Sequence, residues 1–196
     1  MLNWIMNTYY QTPAIVLATR DEREADRVVT FYTRDFGKIK AFARGIRLMK
    51  SKLRGHIVSG ALIRIAFVEG KESYHLVDAE MLYNPLNPPY SKGEVKINSP
   101  LEVSSGERSE GGLNVRGTFN RGVTNMRALQ FLDRVTGEQE RDQELWQFLM
   151  HWLLEGKEIN FLDFQVRALS LLGFLSRGRI ASQKEINAAL VANHLA

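Results

Sequence analysis

The sequence predicts an α+β protein in which a small, curved β-barrel precedes a helical domain. Three observations carry this. Residues 1–83 contain about five short segments rich in β-branched and aromatic residues and little helical periodicity. Composition then shifts at Asn84, where a stretch to about residue 120 holds four of the five prolines with many Gly, Ser and Asn. From residue 121 to 196 apolar residues recur at three- and four-residue spacing, which is the helical period. The expected organisation is therefore a barrel over 1–83, a linker or insertion over 84–120, and a helical domain over 121–196.

In chain order, the run from Pro13 through AIVLATR reads as the first strand, with Ile15, Leu17 and Thr19 on one face and Val16 and Ala18 on the other. DEREAD (Asp21 to Asp26) is too short and charged to be more than a turn. RVVTFYT (Arg27 to Thr33) has strong strand propensity, and Asp35-Phe36-Gly37 is a turn suited to joining antiparallel neighbours. Lys38 to Arg44 follows as a third strand. HIVSGALIRIAFVEG (His56 to Gly70) places Ile57, Ala61, Ile63, Ile65 and Phe67 at alternate positions, with Gly60 expected at a bulge or bend. Glu69-Gly70-Lys71 then turns the chain into a fifth strand from Ser73 to Glu80. Five short strands with a bent one among them suit an OB-fold β-barrel. Pattern alone would read almost the same for a small SH3-like barrel.

Within the Pro/Gly/Ser-rich stretch, EVKINS and LEVSS are compatible with a weak hairpin. Beyond it, helices are expected near 121–136, 140–155, 159–175 and 183–194. In the third, Phe161, Phe164, Ala168, Leu171 and Leu175 form one stripe and Leu162, Leu169 and Leu172 a second, the wide apolar face of a helix central to a bundle. Leu145, Phe148, Leu149, Trp152 and Leu153 make a similar stripe in the second. Asn160 is placed to cap the third helix, and Ser182 with Glu185 forms a capping box for the last.

The feature with functional content lies between Arg34 and Arg54. Arg34, Lys38, Lys40, Arg44, Arg47, Lys50, Lys52 and Arg54 stand against one acid, Asp35, while the whole chain carries a net charge of only +4. Residues 1–83 hold 13 Lys and Arg against 9 Asp and Glu, and the remainder is balanced at 13 of each. Lys38, Lys40, Phe42 and Arg44 alternate with Ile39, Ala41 and Ala43, so the expected exposed face is a basic stripe with one aromatic in it. Charges of one sign repel each other unless a polyanion is their partner. A basic face with a stacking ring is the footprint of a protein that follows a nucleic-acid backbone.

Other chemistry is poorly represented. The chain has no cysteine, which excludes disulfides, thiolate metal sites and a catalytic thiol. Its four histidines, His56, His75, His151 and His194, show no ligand spacing, so no metal or other cofactor is expected. No GxSxG, GxxxxGK[ST] or GxGxxG motif occurs. The DEREAD carboxylates could serve a metal-dependent nuclease, but pairing with Arg20, Arg23 and Arg27 in a solvated turn is the preferred reading. An enzyme is disfavoured. No apolar run reaches the ~18 residues of a membrane span, and MLNWIMNTYY lacks the features of a secretory leader, so a cytoplasmic location is expected.

The stretch AIVLATRDEREADRVVTFYTRDFGKIKAFARGIRLMKSKLRG (Ala14 to Gly55) resembles the N-terminal signature of the RecO family of bacterial recombination mediators. The resemblance rests on AIVL, the Glu24-Ala25-Asp26-Arg27 step, the Thr30-to-Thr33 strand, Gly37-Lys38-Ile39, Ala43-Arg44-Gly45 and the Ser51-to-Gly55 ending, all in order and without gaps. FLDRV (Phe131 to Val135), ELWQFLMHWLLEG and LSLLGF (Leu169 to Phe174) are similar to that family's helical domain. Many members carry a four-cysteine zinc module, which this cysteine-free chain cannot form.

The resemblance implies an OB-fold and a helical domain that bind single- and double-stranded DNA and anneal complementary strands. It implies as partners the acidic, hydrophobic C-terminal tail of single-strand-binding protein and RecR, which together let RecA replace that protein on gapped DNA. Lys38, Lys40, Arg44, Arg47, Lys50, Lys52 and Arg54 are the expected phosphate ligands, Phe42 the expected stacking ring, and Arg20 and Arg34 peripheral contacts. Arg127 and Arg134, on one helix face, are weak candidates for the rim of the tail site; solvated helix charges are their preferred reading. An RNA-binding OB module would show the same basic stripe.

Overall fold

The computed structural model describes residues 8–71, 73–84, 126–155, 160–176, 178 and 181–193. The suggested hairpin of EVKINS and LEVSS lies outside these residues. Five strands, β1 (Tyr9–Asp21), β2 (Arg27–Thr33), β3 (Gly37–Ala43), β4 (Leu62–Glu69) and β5 (Tyr74–Tyr83), form a closed barrel in the order β1-β2-β3-β5-β4. All neighbours are antiparallel except β3 and β5, which run parallel at Ala41–Tyr74 and Phe42–His75. Pairing of β1 with β4, from Tyr9–Val68 to Ile15–Leu62, closes the barrel.

Two details differ from the sequence expectation. Strand β1 starts at Tyr9 rather than near Pro13, because Tyr9, Tyr10 and Gln11 find partners in the end of β4. Residues 56–61 are not strand; they form turns, and β4 starts only at Leu62. Gly60 does mark a bend, with φ +82. Its N–H donates to the Val16 carbonyl at 2.8 Å, and the Val16 N–H donates to the Ala61 carbonyl at 3.1 Å. One register irregularity lies near it, between Val16 and Ala18 in the pairing of β1 with β2, and two more lie between β4 and β5, at Leu62/Ile63 and Ala66/Phe67. The sharp corner thus belongs to the connection, and the irregularities to the strands around it.

Four helices follow among the described residues: α1 through 126–135, α2 (Gln143–Glu155), α3 (Phe161–Leu171) and α4 (Gln183–Ala192). Asn160 accepts from the Leu162 N–H, and Ser182 and Glu185 complete a reciprocal capping box, as their spacing indicates. The stripes of α2 and α3 meet in a bundle core where Trp152 and Phe164 pack with ring centroids 4.8 Å apart.

Much of β1, part of β2 and the start of β4 bury both faces. Ala14, Val16, Val29, Phe31, Ile39, Ala41, Ile63, Ile65 and Phe67 fill the barrel. The alternate residues Ile15, Leu17, Tyr32 and Leu62 join the helical core instead, alongside Leu129, Leu132, Trp146 and Leu149. Tyr32 stacks on Trp146 at 6.4 Å. Burial, reinforced by the nearby Asp142 carboxylate, pushes its phenol well above the usual tyrosine range. The helices therefore cover the outer face of β1, β2 and the start of β4.

Candidate nucleic-acid interface

On β3, Lys38 stands opposite Tyr32 and Lys40 opposite Thr30. Tyr32 packs on Trp146, so the outer side of this part of the strand meets the helical half and not solvent. Lys38 is only 8% exposed. Its ammonium donates to the Asp133 carbonyl at 2.6 Å and lies 3.8 Å from the Asp133 carboxylate. Lys40 is exposed but bonded to the Glu138 carboxylate. That hydrogen bond, with the Lys40 charge, holds Glu138 below the usual glutamate range.

The backbone repeats the contact. The Gln139 N–H donates to the Lys38 carbonyl at 2.8 Å, and Lys38 and Glu138 form an isolated parallel bridge. Gly37, at φ +64, lies so close to the 137–141 connection that a Cβ would run into the Glu140 carbonyl. The expected uninterrupted exposed stripe on β3 is thus corrected. Its first lysine is buried and its second is held, because the connection from α1 to α2 docks on that face.

Phe42 is half-buried and meets His75 edge-to-face at 6.1 Å across the β3–β5 seam. Arg34 binds the adjacent Asp35 through two nitrogens at 3.0 and 3.2 Å. Burial alone would raise the Asp35 carboxyl, but the Arg34 and Thr12 hydrogen bonds outweigh it and keep it low. Arg20 pairs with Glu22 at 3.0 Å on the surface.

After β3 the arrangement changes. The base of the basic loop is braced against the turn between β1 and β2. The Gly45 N–H donates to the Asp26 carboxylate at 2.7 Å, the Arg47 N–H to the Ala25 carbonyl at 3.0 Å, and the Arg47 guanidinium lies 3.5 Å from Asp21. Asp21 also accepts from Arg27 at 2.6 Å, which chiefly lowers its carboxyl, with the charges of Arg27 and Arg47 adding to it. The DEREAD acids thus pair as expected with Arg20 and Arg27, while Arg23 forms no ion pair among the described residues, and they also hold the loop. Ile46 and Leu53 anchor it from inside by packing on the barrel core. Between these anchors, turns close from the Leu48 N–H to the Gly45 carbonyl at 3.1 Å and from the Ser51 N–H to the Leu48 carbonyl at 3.0 Å.

Arg44, Lys50, Lys52 and Arg54 are exposed on this braced loop, and among the described residues none of them forms an ion pair. The structure therefore brings together five of the ten expected contacts, these four and the partly engaged Arg47. Sequence reasoning missed the carboxylates that engage Lys38 and Lys40, Asp133 and Glu138. It also passed over Leu48 and Met49, which stand exposed at 57% and 94% within the basic loop. An apolar pair inside a charge run was the available signal.

In the helical half, the Arg127 guanidinium lies over the Phe161 ring, 4.9 Å from its centroid, and Arg134 is exposed on the same helix. No group of three or more His, Asp or Glu able to hold a metal occurs among the described residues. No helix among them is long and apolar enough to cross a membrane.

Residues 6–85 match the family model described as the recombination protein O N-terminal domain. The chain is 36% identical over 73 residues to the DNA repair protein RecO of Bifidobacterium adolescentis, covering 37% of this chain and 30% of that protein. Longer matches run through the helical half. The RecO of Thermodesulfovibrio yellowstonii is 26% identical over 174 residues, 85% of this chain and 58% of its own length. That of Caldanaerobacter subterraneus is 22% identical over 173 residues, 85% and 59% respectively. The chain thus spans between about a third and three-fifths of the length of these relatives.

Proposed function

Through residues 6–85 the chain belongs to the RecO family, and from that premise we propose that it is a DNA-binding protein of recombinational repair. The barrel, of OB type in this reading, holds DNA by the loop that follows β3. The observation that carries this is the set of four exposed cations, Arg44, Lys50, Lys52 and Arg54, without an ion pair among the described residues, on a loop braced by Asp26, Ile46 and Leu53. A braced loop presents its charges with little ordering cost, and each phosphate it neutralises releases counterions. Arg47 assists from the base. Lys38, Lys40, Arg20 and Arg34 have intramolecular partners and contribute less, and Phe42 serves the barrel seam before any base.

Screening the phosphates of two strands at once would lower their mutual repulsion, which gives annealing without nucleotide or metal. The proposal extends to gaps coated with single-strand-binding protein, where the protein would engage that protein's acidic, apolar tail, act with RecR and indirectly help RecA to load. Arg127 on Phe161, beside a partly exposed Met126, offers the tail a cation next to apolar surface. No catalytic step is part of this role, and its setting is the bacterial cytoplasm at the nucleoid.

Binding to single-stranded DNA should show a log–log salt slope of roughly −3, from four phosphates at about 0.7 each. Replacing Arg44, Lys50, Lys52 and Arg54 together by Gln should bring the slope close to zero with the melting temperature unchanged. An unaltered slope would refute the site. Annealing on DNA coated with single-strand-binding protein tests the mediator role, and failure there with DNA binding intact would leave a plain binding module. Competition by RNA of the same sequence, if it matched DNA, would reassign the module to RNA.

A further inference from the structure

The five basic residues of the loop flank in sequence two apolar ones that join neither hydrophobic cluster among the described residues. A scattered exposed apolar residue needs no explanation, but these two are adjacent, and Met49, at 94%, is the most exposed large apolar residue among those described. The same loop buries Ile46 and partly buries Leu53, the apolar side chains that anchor it. Leu48 lies back over Gly45, where an added Cβ would meet its Cδ1 at 3.3 Å. Met49 stands beyond it, as the second residue of the turn that the Ser51 N–H closes onto the Leu48 carbonyl.

We propose that Leu48 and Met49 form an apolar wedge that enters an unstacked base step while Arg44, Arg47, Lys50, Lys52 and Arg54 hold the flanking phosphates. This rests on the DNA-binding reading above and adds a mode of engagement: an apolar contact made where stacking is already interrupted, which a phosphate-binding loop alone would not make. The chemistry fits. Wedges of Leu or Met between bases are a recurrent means of prising a step apart, and unstacking costs a few kcal/mol unless the step is already open. An unbranched, polarisable thioether adapts to the irregular surface of a splayed base. The rim is cationic throughout, which suits phosphates on either side of the step. A membrane surface would share the charge, but one Met backed by one Leu is far less than the apolar face that interfacial insertion uses.

The test uses the full chain, a gapped duplex with 2-aminopurine beside the gap, and a continuous duplex of the same sequence. The unmodified chain should bind the gapped DNA more tightly and raise the 2-aminopurine fluorescence. The Leu48→Ser/Met49→Ser variant, altered only at exposed positions, should melt as before and keep the salt slope. It should lose about tenfold in affinity for the gapped DNA, less than about twofold for the continuous duplex, and the whole fluorescence rise. Equal losses on both DNAs, or a fluorescence rise that survives the substitutions, would overturn the wedge. If the unmodified chain binds both DNAs with the expected slope but leaves the fluorescence flat, the wedge falls and the phosphate site stands. If it binds neither, the DNA-binding reading falls with it. Binding to phosphatidylserine vesicles that depends on Leu48 and Met49, with both DNA affinities unaffected, would replace the wedge by a lipid contact.

Discussion

Strand β3 and the loop that leaves it are both basic and adjacent in sequence, yet Lys38 and Lys40 close against Asp133 and Glu138 while Arg44, Lys50, Lys52 and Arg54 are exposed and form no ion pair among the described residues. The difference comes from what docks on each. The outer face of β3 receives the connection between α1 and α2, through Gly37, Lys38 and Gln139. The loop is braced at its base by Asp26, Ala25 and Asp21 and from inside by Ile46 and Leu53, and among the described residues no carboxylate engages the cations Arg44, Lys50, Lys52 and Arg54. A cation count along the chain therefore combines two populations: charges that hold the protein together, and charges available to a ligand.

Substitutions can separate these populations, and their effects on stability should fall in a definite order. Gly37→Ala should be the most severe. It combines a positive φ with a Cβ inside the Glu140 carbonyl, so a loss of about 3 kcal/mol or more is expected in urea unfolding. Lys38→Met keeps most of the buried stem but leaves the Asp133 carbonyl without its charged donor. A loss of about 1–3 kcal/mol follows, with the DNA salt slope unchanged; a reduced slope would move Lys38 into the ligand-facing population.

Glu138→Gln should change stability by less than about 0.5 kcal/mol, because its pair with Lys40 is exposed. It should free Lys40, however, and steepen the slope on single strands by about 0.7. The same pair gives a pH signature. Glu138 has its carboxyl lowered from an ordinary value of 4.5, so the unfolded chain takes up a proton first as pH falls. Its contribution is complete above about that value, shrinks as pH drops below it, and is gone once the folded group protonates. Thermal melts from neutral pH down through this window should show a shallower loss in Glu138→Gln than in the unmodified chain.

Much of the fold was legible in the sequence. Alternation gave β2 and β3 closely, and the apolar stripes located α2 and α3. Capping chemistry at Asn160 and Ser182 fixed where the last two helices begin. What alternation could not reveal is what covers the second face of a strand. Ile15, Leu17, Tyr32 and Leu62 read as one side of a pleat, and only the fold shows that helices cover them. For Lys38 the missing information was long-range: its partner lies 95 residues further on, beyond a stretch that breaks any local pattern. In the expected interface, the exposure of Arg44, Lys50, Lys52 and Arg54 agrees with their place in a charged loop, and the exposure of Lys38 was misread because its partner is distant in sequence. The DEREAD acids showed their pairing because Arg20 and Arg27 are close in sequence.

The alternate burial of β1, with Ala14 and Val16 turned into the barrel and Ile15 and Leu17 into the helices, makes that strand a party wall. Removing the helices would wet one side of it, and removing the barrel would leave α2 without the ring that Trp146 rests on. The two halves differ in charge and architecture but share this wall, so loosening either exposes the other. Their border in composition is not a border in cooperativity: a disturbance in the bundle reaches the strands that carry the basic loop.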